Sequence, residues 1–327
     1  MRPVLQAEKL SVEIDVPAGT LHAVSEVDLH VGSGETLCIV GESGCGKTMT
    51  ALAIMGLLPR RARMRAERLE LEGHDLLVGA QNGVAALRGD RIAMIFQDPM
   101  TSLNPVYRIG NQMEEVYIRH GKGGRREARE RAEYLLGKVG IAAPKERREQ
   151  YPHQLSGGLR QRVMIAMTLM CEPTVIIADE PTTALDVTIQ AQILHLLSDL
   201  QAEYRMALIL ITHDLGVVAR MADRVMVMYA GQVVETGTAE ALFANPLHPY
   251  TRGLLDCIPI PGKIRPGTKL GSIPGIVPSL VGELQGCQFR ERCGFAFEAC
   301  TATIALRETM PGRASRCLLD KIPQARA

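Results

Sequence analysis

The feature that most constrains this chain is an apolar run that breaks into glycines and restarts as a helix. Residues 36–40 (TLCIV) read as a short buried strand. Gly41-Glu42-Ser43-Gly44-Cys45-Gly46-Lys47-Thr48 follows, and then a helix-like stretch, MTALAIMGLL. The loop fits G-x-x-x-x-G-K-[ST], in which glycines without Cβ atoms let backbone N–H groups curl around phosphate oxygens. Lys47 supplies a cation for the β- and γ-phosphates, and the Thr48 hydroxyl suits Mg²⁺. The helix beginning here adds the positive end of its dipole. A glycine turn that binds nothing is the rival reading. The strand before the loop and the helix after it favour a nucleoside triphosphate site.

The remaining chain repeats this alternation. Residues 92–96 (IAMIF), 174–178 (TVIIA), 207–211 (ALILI) and 225–229 (VMVMY) read as strands. Between them, residues 125–139 form an amphipathic helix with Ala132, Leu135, Leu136 and Val139 on one face. A Ser-Gly-Gly turn opens a helix over 156–170, with Ser156 as its N-cap. Another helix spans 188–203. Continuous apolar strands alternating with helices imply an α/β fold with a parallel sheet covered on both faces. Prolines crowd the stretch from 245 to 278, and the periodicity weakens there. That shift places a boundary near 245, giving a domain over 1–245 and a C-terminal extension over 246–327.

Several function classes are excluded. Lys and Arg total 37 against 36 for Asp and Glu, so there is no basic excess of the kind a general nucleic-acid binder shows. The arginines at 60, 61, 63, 65 and 68 read first as a solvated face, and second as a contact for anionic lipid or an acidic partner. No apolar run approaches the ~18–20 residues that span a bilayer. The first residues, MRPVLQAEKLSVEIDV, lack the apolar core and cleavage site of a secretory signal. Cytosolic residence is therefore expected.

A second motif completes the first. Val175-Ile176-Ile177-Ala178-Asp179-Glu180 ends a buried strand in two carboxylates, at the edge where parallel sheets bind ligands. Asp179 is placed to hold Mg²⁺. Glu180 can polarise an attacking water as general base. Between the two motifs lies Leu155-Ser156-Gly157-Gly158-Leu159-Arg160-Gln161-Arg162. Together with Gln97, Asp186 and His213, in this order and spacing, the chain closely resembles the ATP-binding cassette family.

That resemblance implies a P-loop NTPase fold: a RecA-like parallel core, an N-terminal antiparallel β subdomain and a helical subdomain inserted at about 100–165. It implies that two cassettes pair head to tail around two ATP molecules. Ser156, Gly157 and Gly158 would then meet the nucleotide bound by the partner's loop, with Asp186 at the seam. Gln97 would sense the γ-phosphate and Mg²⁺. His213 would contact the γ-phosphate and orient the water. Family members usually stack an aromatic residue on adenine. This chain has no aromatic before Phe96, and Ile14 takes the corresponding place, with Leu21 and His22 as further candidates.

Phe96-Gln97-Asp98-Pro99-Met100-Thr101-Ser102-Leu103-Asn104-Pro105, Tyr151-Pro152-His153-Gln154 and His248-Pro249-Tyr250-Thr251 resemble dipeptide and oligopeptide importer ATPases more narrowly. The resemblance implies a second ATPase subunit, two transmembrane permease subunits and an extracytoplasmic peptide-binding protein. It places the chain peripherally on the cytoplasmic face of a bacterial inner membrane, with no nucleic-acid partner. Import of a nickel complex or another small solute stays open, as does a non-transport cassette.

Four of the eight cysteines lie in the last 41 residues, as Cys287-x₅-Cys293-x₆-Cys300-x₁₆-Cys317. In a reducing compartment, clustered thiols suggest metal rather than disulfides. The spacing matches neither common zinc modules nor ferredoxins. The resemblance implies a 4Fe–4S cluster in a small irregular C-terminal domain, with zinc as the alternative and four unrelated thiols as the plain one.

Overall fold

The computed structural model describes residues 3–77, 83–183, 185–258, 271–282 and 284–322. Part of the proline-rich stretch, 259–270, lies outside the described residues. The chain divides into two compact units. One comprises Met1–Leu5, Val31–Glu35 and Leu71–Leu210. The other comprises Gln6–His30, Thr36–Glu70 and Ile211–Ala327.

In the first unit, the strands Ile92–Ile95, Val175–Asp179 and Ala207–Ile211 are buried along their whole length. The first two run parallel, with Ile92 opposite Val175 and Ile95 opposite Ala178. Such strands are apolar throughout except for Asp179 at the end of its strand, the pattern of parallel sheets covered by helices on both faces. The helix Arg125–Lys138 buries Ala128, Ala132, Leu135 and Leu136, the i, i+4, i+7, i+8 stripe of an amphipathic helix. Val139 is buried just beyond it, as the C-cap. The neighbouring helix Ile109–Arg119 is tied in by Arg148, whose nearly buried guanidinium meets Glu114 at 2.6 Å and Glu133 at 3.4 Å.

The second unit holds an antiparallel sheet in which Leu5–Val16 pairs with both Gly19–Val31 and Arg68–Leu71. Ala62–Arg65 also pairs with the first strand, setting Ile14 opposite Ala62. The arginine run lies here. Arg63 is ion-paired with Asp15 at 2.6 Å, and Arg68 with Glu8 at 2.9 Å. Those cross-strand pairs account for two charges that the sequence leaves unassigned.

The same unit places Thr36–Val40 parallel to Arg224–Tyr229, which turns back antiparallel into Gln232–Thr238. Arg313–Ser315 then pairs with Gln232–Thr238, and Arg307–Met310 with Arg313–Ser315. The C-terminal extension is therefore less irregular than its prolines suggest. The join is made by the fully buried carboxylate of Glu235. Arg313 reaches it at 3.1 Å, and the Leu247 and His248 N–H groups donate to it at 2.8 and 2.9 Å. A buried charge persists only with such partners. The helix after the glycine loop, Lys47–Ile54, is shorter than its apolar sequence. Gly56 takes a φ of 62°, and Pro59 follows.

Candidate functional site

The glycine-rich motif folds as a tight loop between strand Thr36–Val40 and helix Lys47–Ile54. Gly41 has a φ of 153°, and a Cβ there would lie 2.2 Å from the Met228 carbonyl. Gly46 has a φ of 102°, and its Cβ would lie 2.5 Å from the Ala23 carbonyl. These two glycines are thus required by the backbone packed against the loop. Lys47 is almost buried, and its ammonium donates to the carbonyls of Gly41 at 2.9 Å and Glu42 at 3.0 Å. The Cys45 thiol lies 3.8 Å from the same nitrogen, and burial raises its pKa. The Glu42 N–H donates to the Tyr250 hydroxyl at 2.8 Å. Ser43, Gly44 and Thr48 complete the loop, with Gly44 at a φ of 77° in open space.

The carboxylate motif lies in the other unit. Asp179 ends the strand Val175–Asp179 and is 2% exposed. Glu180 follows with a φ of 44°. A non-glycine residue held there is strained, a condition that persists where surroundings over-determine it. Gln97 Nε2 donates to Glu180 Oε2 at 3.1 Å, and the Thr183 hydroxyl donates to the same oxygen at 2.8 Å. Sequence reading missed Thr183. The available signal was a hydroxyl three residues after a carboxylate that had to be oriented.

Ser156 stands at the N-cap of helix Gly157–Thr168, but its side chain makes no capping hydrogen bond. The expected N-cap residue is thus in place, with extended backbone angles, but without a side-chain bond to the helix. Gly157 and Gly158 face the start of the next helix. A Cβ on Gly157 would sit 3.7 Å from Leu185, and one on Gly158 would sit 2.9 Å from Ile189 Cγ2. Asp186 is the N-cap of that helix, Val187–Tyr204, accepting from the Ile189 N–H at 3.0 Å.

In the second unit, His213 is exposed between Thr212 and Asp214. Asp214 caps the helix Leu215–Met221. Ile14 is half-buried on its strand. Leu21 forms an antiparallel bridge to Val281, and His22 lies 3.7 Å from Glu13.

Cys287, Cys293, Cys300 and Cys317 line one apolar cavity of about 10 Å³, together with Phe289 and Phe297. Among the described residues, no group of three or more His, Cys, Asp or Glu side chains is placed to hold a metal ion. The expected iron–sulfur site is thus not formed as a ligand shell. Burial raises the pKa of Cys287, Cys293 and Cys317.

The family profile described as ABC transporter matches residues 24–183. The profile for the oligopeptide/dipeptide transporter C-terminal region matches residues 234–300. The dipeptide transport ATP-binding protein DppD of Escherichia coli is 49% identical over 315 residues, 96% of each chain. The oligopeptide transport ATP-binding protein AppD of Bacillus subtilis is 48% identical, covering 98% of this chain and 97% of its own. A dimeric ATP-binding cassette solved in a post-hydrolysis state with ADP and Pi superposes with a TM-score of 0.63. It is 26% identical and covers 72% of this chain and 98% of that one. The glycine loop, the paired carboxylates and these likenesses converge on one conclusion: the chain belongs to the ABC transporter ATP-binding family, with a P-loop cassette fold and the oligopeptide/dipeptide type of C-terminal region.

Proposed function

We propose that this chain is the ATP-binding, ATP-hydrolysing subunit that powers an importer of dipeptides or oligopeptides. The observation that carries the reading is Glu180, held at a strand end by Gln97 and Thr183, in a chain that also has an intact Gly41–Thr48 loop. The relatives' names and the match over residues 234–300 supply the substrate class.

Each residue then has a role. Backbone amides of the loop and the Lys47 ammonium hold the phosphates. Glu180 takes a proton from the attacking water, and His213 orients that water against the γ-phosphate. Ser156, Gly157 and Gly158 act on the nucleotide of a second cassette subunit, with Asp186 at the seam. The Ser156 hydroxyl fits this role, since it makes no cap bond to its own helix. Ile14 packs on adenine as an aliphatic contact. Thr48, Gln97 and Asp179 would hold magnesium. They offer hydroxyl, amide and carboxylate oxygens, the donor types a hard cation takes. Bound there, the ion offsets charge on the phosphate oxygens.

Residues 1–245 would form the nucleotide-binding domain, with its helical insert at about 100–165, and 246–327 the extension. The working assembly would add two permease subunits and an extracytoplasmic peptide-binding protein. The chain would sit against the cytoplasmic face of the bacterial inner membrane. Among the described residues no helix is long and apolar enough to cross a membrane, which suits an attached subunit. Cys287, Cys293, Cys300 and Cys317 would be the ligands of a 4Fe–4S cluster, with zinc as the alternative. What supports this is that all four thiols line one cavity, the donor set such a cluster takes. On binding, the thiols would ionise.

The test is ATP turnover by the assembled complex in vesicles, with binding protein supplied. Stimulation by di- or oligopeptide supports the reading. Stimulation by a nickel complex but not by peptide overturns the substrate class. Absence of turnover despite bound nucleotide overturns the hydrolase.

A further inference from the structure

We propose that Arg292 and Tyr250, both in the C-terminal extension, are positioning residues that hold Glu42 and, through it, the Gly41–Thr48 loop in its nucleotide-accepting shape. The inference rests on the reading of that loop as a nucleotide site.

Glu42 is the second residue of the loop, yet both its backbone and its side chain are gripped from far along the chain. Arg292 Nη1 donates to Glu42 Oε2 at 2.6 Å, and Nη2 donates to Oε1 at 3.0 Å. This is a two-pronged pair that only a guanidinium makes. The Arg292 side chain is 4% exposed. Its donors also reach the carbonyls of Pro274 at 2.8 Å and Ile273 at 3.2 Å, and the Tyr229 hydroxyl at 3.3 Å. From the other side, the Tyr250 hydroxyl accepts the Glu42 N–H at 2.8 Å. Tyr250 is fixed in turn. Its ring lies 4.6 Å from Tyr229 and 5.4 Å from Phe289, centroid to centroid.

Two physical consequences follow. A carboxylate in a loop that receives a polyanion repels it, and the Arg292 fork both neutralises Glu42 and fixes where it points. The Glu42 carbonyl also accepts from the Lys47 ammonium, as does that of Gly41. A shift of Glu42 therefore moves the cation meant for the phosphates. The path Arg292–Glu42–Lys47 is two contiguous polar links, and the Tyr250 hydroxyl joins it at the Glu42 N–H. It gives the His248-Pro249-Tyr250 segment a task at the nucleotide site. It also makes loop shape depend on the fold of the 287–293 segment, where Phe289 and Arg292 sit between Cys287 and Cys293. Linkage of this kind is reciprocal: nucleotide in the loop orders that segment in return.

The test uses the full-length chain titrated with magnesium–ADP by calorimetry, and the assembled complex for ATP turnover. Arg292→Ala is expected to weaken ADP binding about fivefold or more and to raise KM for ATP more than it lowers kcat. Arg292→Lys should recover only part of the loss. Tyr250→Phe, which removes one hydroxyl, should weaken binding in the same direction and keeps the test open if Arg292→Ala folds poorly. In a Glu42→Gln background, Arg292→Ala should cost much less than in the wild type. Wild-type affinity in both Arg292→Ala and Tyr250→Phe overturns the proposal. So does an undiminished Arg292→Ala effect in Glu42→Gln. If the unaltered chain binds no ADP, the nucleotide-site reading itself fails, a result separate from any variant's.

Discussion

Gln97 and Thr183 donate to one and the same oxygen of Glu180, at 3.1 and 2.8 Å. Two donors on a single carboxylate oxygen anchor that oxygen and so restrict how the group is turned. Orientation of this sort is what a general base needs before its pKa matters.

Glu180→Gln should therefore lower ATP turnover by about 10²-fold or more, while magnesium–ATP affinity stays near that of the unaltered protein. Thr183→Val should give a smaller loss, because Gln97 still holds the group. Phosphate release set beside nucleotide titration measures both. Retained turnover in Glu180→Gln would remove the base from Glu180.

The Ser-Gly-Gly turn makes a second prediction through packing. A methyl group on Gly158 would meet Ile189 Cγ2 at 2.9 Å, and the branched side chain has little rotamer freedom in a helix. Gly158→Ala is expected to push the two helix starts apart and depress turnover severalfold. Ile189→Ala should restore much of it by removing the obstructing methyl. The double-mutant cycle reports the coupling, which for residues in contact runs to about 0.5–3 kcal/mol. Additive effects would mean that Gly158 is required for some other reason.

Much of the local structure around the candidate site was legible because its signals are local. The loop at 41–48, the strand ending in Asp179 and the stripe on helix Arg125–Lys138 each declare themselves within a dozen residues. What escaped was non-local. Nothing in the sequence announces that Arg292 closes on Glu42, or that Arg313 and two backbone amides meet at Glu235. Such pairings are decided by tertiary placement. Ser156 divides between the two: propensity placed it at the N-cap, where it stands, while the fate of its hydroxyl, which makes no cap bond, was not legible. The four-thiol reading fared in between, since the cysteines do share a cavity but not a ligand geometry.

Alkaline stability offers a third prediction. Burial on the strand Thr36–Val40, helped by the nearby Asp223 carboxylate, pushes the Cys38 thiol up to about 12 from 9.0. Between those values the unfolded chain gives up its proton and the folded one keeps it. Stability contributed by the neutral thiol is therefore complete below pH 9 and is lost as pH rises towards 12. Urea melts of Cys38→Val should show a shallower decline across that window than the unaltered protein. Iodoacetamide should leave Cys38 unmodified until the chain unfolds.

Metal content gives the fourth. Protein purified without oxygen is expected to carry about four iron and four acid-labile sulfide per chain, with the visible absorbance of such a cluster. Cys293→Ser should lose it. Colourless protein with one zinc per chain would select the alternative. Metal-free protein with four titratable thiols would reject both.

The strand Gly19–Val31 is flanked by residues from near the other end of the polypeptide. His22 donates to Leu280, and Gly282 to Thr20, at 2.9 and 3.0 Å. Those bonds occupy main-chain groups that would otherwise stand open as a template for a neighbouring molecule. Cutting the polypeptide near residue 245 would therefore yield something stickier, and not merely shorter.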